Sequence, residues 1–415
     1  MESPEVVIIG GGFGGLTTAR HLNCKKNKIT LIDKTNYHLF QPLLYQVATA
    51  ALSPGDIAVP IRSILRTKQN IEIIMSEVIS IDKENKSVQL KNRKINFEYL
   101  IAAPGSSHSY FGKNEWEKFA PGLKTLSDAL SIRERILISF EKAEILSDEA
   151  ERNKYLTFVI VGGGPTGVEM AGAIAEIAKK TMLRDFRNIK PEKAKIILVE
   201  AAPGVLAAYP DKLSASAKRE LEELGVKVIL NRFVTSINEK GVQLKDEFIE
   251  TENIIWAAGN EASPLLKTLN THLDKAGRVI VEKDLSIKDH PNIFVLGDAA
   301  NCKDENGELL PGIAPVAMQQ AKYIARIINK KVPYENRKPF HYFDKGIMAT
   351  IGKARAVAKI RKMEFTGFLA WFLWSFIHIF FLITFRNRIK VMSEWIWYYI
   401  TSRRDVRLIT RRKNE

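Results

Sequence analysis

Two apolar runs in this 415-residue chain each end in a glycine-rich turn, and that pairing limits the fold more than any other feature. Val6-Val7-Ile8-Ile9 leads into Gly10-Gly11-Gly12-Phe13-Gly14-Gly15, and Phe158-Val159-Ile160-Val161 leads into Gly162-Gly163-Gly164-Pro165-Thr166-Gly167. Both turns satisfy G-x-G-x-x-G and run on into helix-like sequence. In a βαβ unit the first glycine permits the tight turn, the second lets backbone approach a pyrophosphate, and the third lets helix and strand pack. The helix start then offers unpaired N–H groups and partial positive charge to phosphates. Gly10, Gly12 and Gly15, and again Gly162, Gly164 and Gly167, therefore predict two dinucleotide sites in one chain.

Each turn is answered by an acid at the end of a later strand. Lys28-Ile29-Thr30-Leu31-Ile32 ends in Asp33, and Ile196-Ile197-Leu198-Val199 ends in Glu200 after a longer gap with a polar insertion at 179–193. A carboxylate there accepts from ribose hydroxyls and repels a 2′-phosphate, so Glu200 predicts NAD(H) over NADP(H). Two further strands fit a flavin domain: Tyr99–Ala103, ending in the turn at Gly105, and Asn292–Leu296, ending in Gly297-Asp298. Asp298 can accept from the flavin ribityl chain or cap the next helix. A flavin and a nicotinamide held together make an electron-transfer enzyme.

The expected fold is α/β, with two Rossmann-like dinucleotide-binding domains and a C-terminal helical membrane-binding region. An FAD-binding domain at 1–112 and 261–335 is interrupted by an NADH-binding domain at 113–260. Residues 336–415 form the membrane-association and quinone-site region. The two cysteines, Cys24 and Cys302, form no C-x-x-C pair, which argues against a disulfide reductase and against a metal or iron–sulfur site. The N-terminus enters the first strand directly, with no signal-peptide pattern expected.

The chain carries 62 Lys+Arg against 47 Asp+Glu, a formal charge of +15. From Arg386 to Glu415 there are nine basic residues and three acidic ones, beside the most apolar part of the sequence. That placement points to an anionic membrane surface rather than nucleic acid. Phe365–Phe385 is 21 residues without Asp, Glu, Lys or Arg. As one helix it would reach ~32 Å, against a hydrocarbon core of ~30 Å. Basic residues flank it on both sides, so it lacks the asymmetry that orients a span. Helices lying in one membrane face are the preferred reading, with a single span, or a buried dimer interface or core helix, as the alternatives.

Together these features resemble the type II NADH dehydrogenases, single-chain FAD-containing NADH:quinone oxidoreductases of the pyridine nucleotide-disulfide oxidoreductase superfamily. The resemblance rests on Tyr37-His38-Leu39-Phe40-Gln41-Pro42-Leu43-Leu44-Tyr45-Gln46-Val47-Ala48, on Gly162 through Glu169, on Pro311 through Gln320, and on Phe343-Asp344-Lys345-Gly346 through Gly352. It implies hydride transfer from NADH to FAD, then two electrons to a membrane quinone, without proton pumping. The implied cofactor-binding positions are Gly10, Gly12, Phe13, Gly14, Gly15, Asp33, Lys34, Val78, Ala103, Gly105, Gly162, Gly164, Gly167, Glu200, Gly259, Gly297, Asp298 and Ala317. Glu169 matches the family's glutamate near the nicotinamide–flavin contact; its bland alternative is a carboxylate that only stabilises its own helix.

One departure stands out. Many members read A-Q-x-A-x-Q in the quinone segment, and here the first Gln position is Pro315. Proline brings no N–H and no side-chain donor. Gln319, His378 or Lys345 are the candidates to replace it, His378 either as a donor to a quinone oxygen or as a histidine hydrogen-bonded within the protein interior, and Lys345 equally as a lipid-facing charge. The resemblance also implies the cytoplasmic face of the inner membrane and allows a homodimer. Competing readings are a sulfide:quinone oxidoreductase, which needs redox cysteines near the flavin, a ferredoxin-type reductase, and a membrane-attached nucleotide sensor that turns nothing over.

Overall fold

A computed structural model describes residues 5–404 and 406–409. Residues 1–4, at the start of the first expected domain, and residues 405 and 410–415 of the basic tail lie outside the described residues. The chain divides into two compact units. One contains the sequence up to Leu39, Ala58–Ser107 and Asn260–Asp344; the other contains Phe40–Ile57, His108–Gly259 and the chain from Lys345 onward.

The first unit is built on a six-stranded sheet in the spatial order Ser286–Ile287, His290–Val295, Tyr99–Ala102, Glu5–Ile9, Lys28–Asp33, Ile71–Met75. All neighbouring strands pair in parallel except the antiparallel Ser286–Ile287 edge. Parallel strands buried on both faces read as continuous apolar runs, and Val6, Val7, Ile8, Leu31 and Ile32 are fully buried. After Glu5–Ile9 the chain moves to one side of the sheet and later returns to the other. The turn at Gly10 thus leaves the carboxyl end of the strand at which the order reverses, the usual nucleotide crevice of such sheets.

The second unit repeats the plan with four parallel strands: Val226–Ile229, Lys195–Val199, Thr157–Val161, Asn253–Trp256. Gly162 leaves the central strand as Gly10 does. The equivalence extends to single hydrogen bonds: Gly10 N donates to Ile32 O and Gly162 N to Val199 O, each at 2.8 Å.

This unit also carries a three-stranded antiparallel sheet, Ile347–Gly352, Arg355–Ile360 and Met363–Thr366, followed by helices Gly367–Phe381 and Phe385–Thr401. The 21-residue apolar stretch is therefore divided. Phe365 and Thr366 end a strand, and the helix stops at Phe381, with Leu382 extended beyond it. Fifteen residues reach only ~22 Å, short of the ~30 Å core. No helix of the described residues is long and apolar enough to cross a membrane, which removes the single-span alternative.

Candidate functional site

The two glycine turns are shaped for phosphate. A Cβ at Gly15 would overlap the carbonyl of Gly10, and one at Gly167 would overlap that of Gly162, so each third glycine is fixed by close packing. A Cβ at Gly10 would collide with Ala103 O, and one at Gly14 with the Leu296 side chain. Gly12 and Gly164 instead face open space. Those two residues N-cap the helices Phe13–His21 and Pro165–Glu176, and neither helix start has a side-chain cap or an acid in its first turn. The N–H groups there are available to an anion.

The strand-end acids bind the turns directly. Asp33 Oδ2 accepts from Gly11 N at 2.5 Å, and its Oδ1 accepts from Thr35 N at 2.6 Å. Glu200 Oε2 accepts from Gly163 N and its Oε1 from Ala202 N. In both units the carboxylate is thereby aimed at the crevice, where a ribose would lie. His38, absent from the expected set, locks the first turn from beneath: its Nδ1 lies 2.9 Å from Gly11 O, and its ring meets Phe13 edge-on. Burial lowers its pKa and so favours the uncharged ring.

Around the flavin strand ends, Asp298 Oδ2 accepts from Ser106 Oγ at 2.7 Å. Gly297 takes a positive φ of 68°, its N–H donates to Gln320 Oε1 at 2.8 Å, and the Ala317 methyl packs beneath it. Gly105 and Gly259 also adopt positive φ, as tight turns require. Val78 starts a strand with its side chain in the core, which leaves only its backbone for a ligand. Lys34 is exposed just beyond Asp33. Two cradles, two acids and two open helix starts fit an FAD and an NADH.

Glu169 sits in the second unit, one turn into the helix that Gly164 caps. Its carboxyl accepts from the Thr350 backbone, and burial raises its pKa well above the carboxylate range. That partner lies on strand Ile347–Gly352, which packs against the helix at Gly172; a Cβ there would overlap Ile351 O. The carboxyl is therefore held by a long-range contact rather than spent on its own helix start. It faces a cavity also lined by Tyr45, Gln46, Glu176, Trp374, Trp395 and Arg404. Glu176 follows Glu169 by two helical turns, so the spacing puts both on one face. Tyr45 and Gln46 belong to the Tyr37–Ala48 segment that carries the resemblance; Glu176, Trp374 and Arg404 are not among the expected site residues. The Glu169–Glu176 interval was readable; Arg404 was lost in a count of basic residues.

The other expected residues have definite places. Gln319 clamps the Phe343 backbone with both ends of its amide, Nε2 donating to Phe343 O at 2.9 Å and Oε1 accepting from Phe343 N at 3.0 Å. His378 stacks on Trp374 at 4.2 Å between centroids, and its Nδ1 is 2.7 Å from Trp374 O. A carbonyl partner makes Nδ1 the protonated nitrogen. Burial lowers its pKa to about 4. At neutral pH its remaining nitrogen is an acceptor, so the expected donor role does not fit this geometry. Lys345 is exposed, its ammonium 5.8 Å from the Phe381 ring centroid.

Residues 4–321 match the pyridine nucleotide-disulphide oxidoreductase family, and residues 345–404 match the NDH2 C-terminal domain. The chain is 47% identical to the type II NADH:quinone oxidoreductase NdhA of Mycobacterium tuberculosis, over 94% of this chain and 86% of that protein. It is 44% identical to the type II NADH:quinone oxidoreductase Ndh of the same organism, over 98% of this chain and 90% of that one. The solved structure of NDH2 from Plasmodium falciparum in complex with NADH shares the fold, with a TM-score of 0.89, 22% identity, and coverage of 98% of this chain and 100% of that chain. The chain belongs to the pyridine nucleotide-disulphide oxidoreductases and, within them, to the type II NADH:quinone oxidoreductases.

Proposed function

We propose that this chain works on a membrane surface, taking electrons from NADH and passing them through bound FAD to a quinone of the membrane pool. The activity is that of a non-proton-pumping NADH:quinone oxidoreductase. NADH gives a hydride to the bound FAD, and two electrons then pass to the quinone. The observation that carries the reading is the Pro165–Glu176 helix: its start is the second nucleotide turn, and one turn further on it presents the half-buried Glu169 to a cavity. A carboxyl whose pKa burial raises holds its proton to higher pH than an exposed one and can hand it to a quinone oxygen.

FAD is assigned to the first glycine turn with Gly105, Gly297, Asp298 and the backbone at Val78, within the expected segments 1–112 and 261–335. NADH is assigned to the second turn with Glu200 and Gly259, within 113–260. The region 336–415 is assigned to the quinone and the membrane. Gln319 is read as a positioning residue for Phe343, and His378 as an acceptor for a quinol hydroxyl. Lys345 is read as a surface charge beside the first C-terminal helix.

The membrane assignment rests on a two-sided surface. Phe368, Phe372, Phe376 and Phe380 of one helix, and Ile389, Ile396, Trp397 and Ile400 of the next, are exposed. Arg386 and Lys390 are exposed among them. Apolar side chains beside basic ones match the headgroup–acyl boundary of an anionic bilayer, so the basic excess is assigned to lipid and not to nucleic acid. The cytoplasmic face of the inner membrane and a homodimer are the corresponding expectations. Anaerobic mixing with NADH, followed by a short-chain quinone, tests the reading: NADH should bleach the flavin and the quinone should restore its colour.

A further inference from the structure

The polar groups around the Glu169 cavity largely satisfy one another. Gln46 accepts from Trp395 Nε1 at 2.7 Å and donates to the Tyr45 hydroxyl at 2.8 Å. Glu176 accepts from the Tyr398 hydroxyl at 2.7 Å, from Lys353 N at 2.7 Å and from Arg404 Nη2 at 3.2 Å. Arg404 Nη1 donates to Thr49 O at 2.7 Å.

Two donors are left over. Arg404 Nε–H and Trp374 Nε1–H have no acceptor among the described residues, although the side chains are only 4% and 2% exposed. A buried donor without an acceptor costs about 1–3 kcal/mol, and native structures hold few of them. Here two line the same cavity. Both groups are donors only, so the missing partner is an oxygen acceptor. Trp374 stacks on Trp395 at 5.3 Å, which gives the donors a flat aromatic setting. A planar apolar ring carrying carbonyl oxygens meets both requirements.

We propose that Arg404 Nε–H and Trp374 Nε1–H are the hydrogen-bond donors to the quinone oxygens. The inference rests on the function proposed above. Glu176 balances the Arg404 charge in the resting cavity, and the guanidinium adds stabilisation as negative charge grows on a quinone oxygen. Glu169 then serves as the proton source beside a preset donor pair.

The test uses full-length, FAD-loaded protein with ubiquinone-1 and, separately, ferricyanide as acceptors. W374F keeps an aromatic ring and loses the N–H. Its KM for ubiquinone-1 should rise about three- to tenfold, the size expected for one neutral hydrogen bond. R404K keeps a cation for Glu176 and loses Nε–H; kcat/KM for ubiquinone-1 should fall about tenfold or more, as for a charged donor. Rates with ferricyanide, which needs no carbonyl donor, should change far less. In 15N-Trp-labelled oxidised wild type, the indole signal that W374F lacks should move when menadione is added. Unchanged quinone parameters in both variants, or an indole signal indifferent to menadione, would overturn the inference. If R404K does not fold, W374F and the wild-type indole signal decide the question. A wild type that passes no electrons to ubiquinone-1 sinks the underlying functional reading; a wild type that does, with variants that match it, sinks only this donor assignment.

Discussion

Gly172 and Ile351 touch backbone to backbone: the Ile351 carbonyl occupies the space where any side chain at position 172 would begin. This contact brings strand Ile347–Gly352 onto the helix of the second nucleotide turn and sets the Thr350 N–H on Glu169. Replacing Gly172 with Ala forces the two elements apart. Overpacking of this kind costs about 1–3 kcal/mol. G172A should lower the melting temperature by several degrees and slow quinone reduction more than NADH-driven flavin reduction, read by calorimetry and stopped-flow absorbance. Equal slowing of both steps would place the contact outside the quinone site.

Glu169 should control the pH dependence of the quinone step. Burial raises its pKa, so the protonated, proton-donating form persists above the usual carboxylate range and is lost as pH rises through the raised value. The oxidative rate constant of the wild type should therefore fall on the alkaline side. E169Q should be slower by about 10²-fold, within the usual range for one general acid, and should lack that limb. A variant that keeps the same pH profile would assign the limb to another group.

Nucleotide choice should follow Glu200. Its carboxylate is pinned by the N–H groups of Gly163 and Ala202 at the crevice, where a 2′-phosphate would meet like charge. E200Q removes the charge and keeps the shape. The ratio of kcat/KM for NADH over NADPH should drop by about tenfold or more, a repulsion of ~1.4 kcal/mol. An unchanged ratio would mean that discrimination lies elsewhere.

Membrane binding should depend on the exposed phenylalanines of the Gly367–Phe381 helix. The triple substitution F372S/F376S/F380S leaves the buried Ala370 and Trp374 face intact. Co-sedimentation with vesicles containing phosphatidylglycerol should fall to near background, while NADH still reduces the flavin. Retained sedimentation at high salt would shift the contact to another surface.

Much of the nucleotide machinery was legible because it is local. Gly15 and Gly167 are required by close contacts with the carbonyls of Gly10 and Gly162, five residues back, and Asp33 and Glu200 follow from strand ends. The cavity beside Glu169 was not legible in that way. Trp395 and Arg404 reach Gln46, Thr49 and Glu176 over separations of more than 200 residues, which no periodicity encodes. The apolar stretch at 365–385 misleads for a related reason. Composition reports its lack of charge but not the strand pairing of Phe365 with Ala358 or the end of the helix at Phe381. The position of His378 in an apolar helix allows a quinone donor and a protein-bonded histidine alike; the Trp374 carbonyl at 2.7 Å, a contact within the helix, engages its Nδ1.

The most direct test of the central claim is a two-step anaerobic stopped-flow experiment on the purified, detergent-solubilised protein, monitored at the flavin absorbance maximum. NADH should bleach the flavin within the turnover time, and ubiquinone-1 mixed in afterwards should restore the full absorbance with one quinol formed per NADH consumed. A flavin that NADH reduces but ubiquinone-1 leaves reduced would contradict the account.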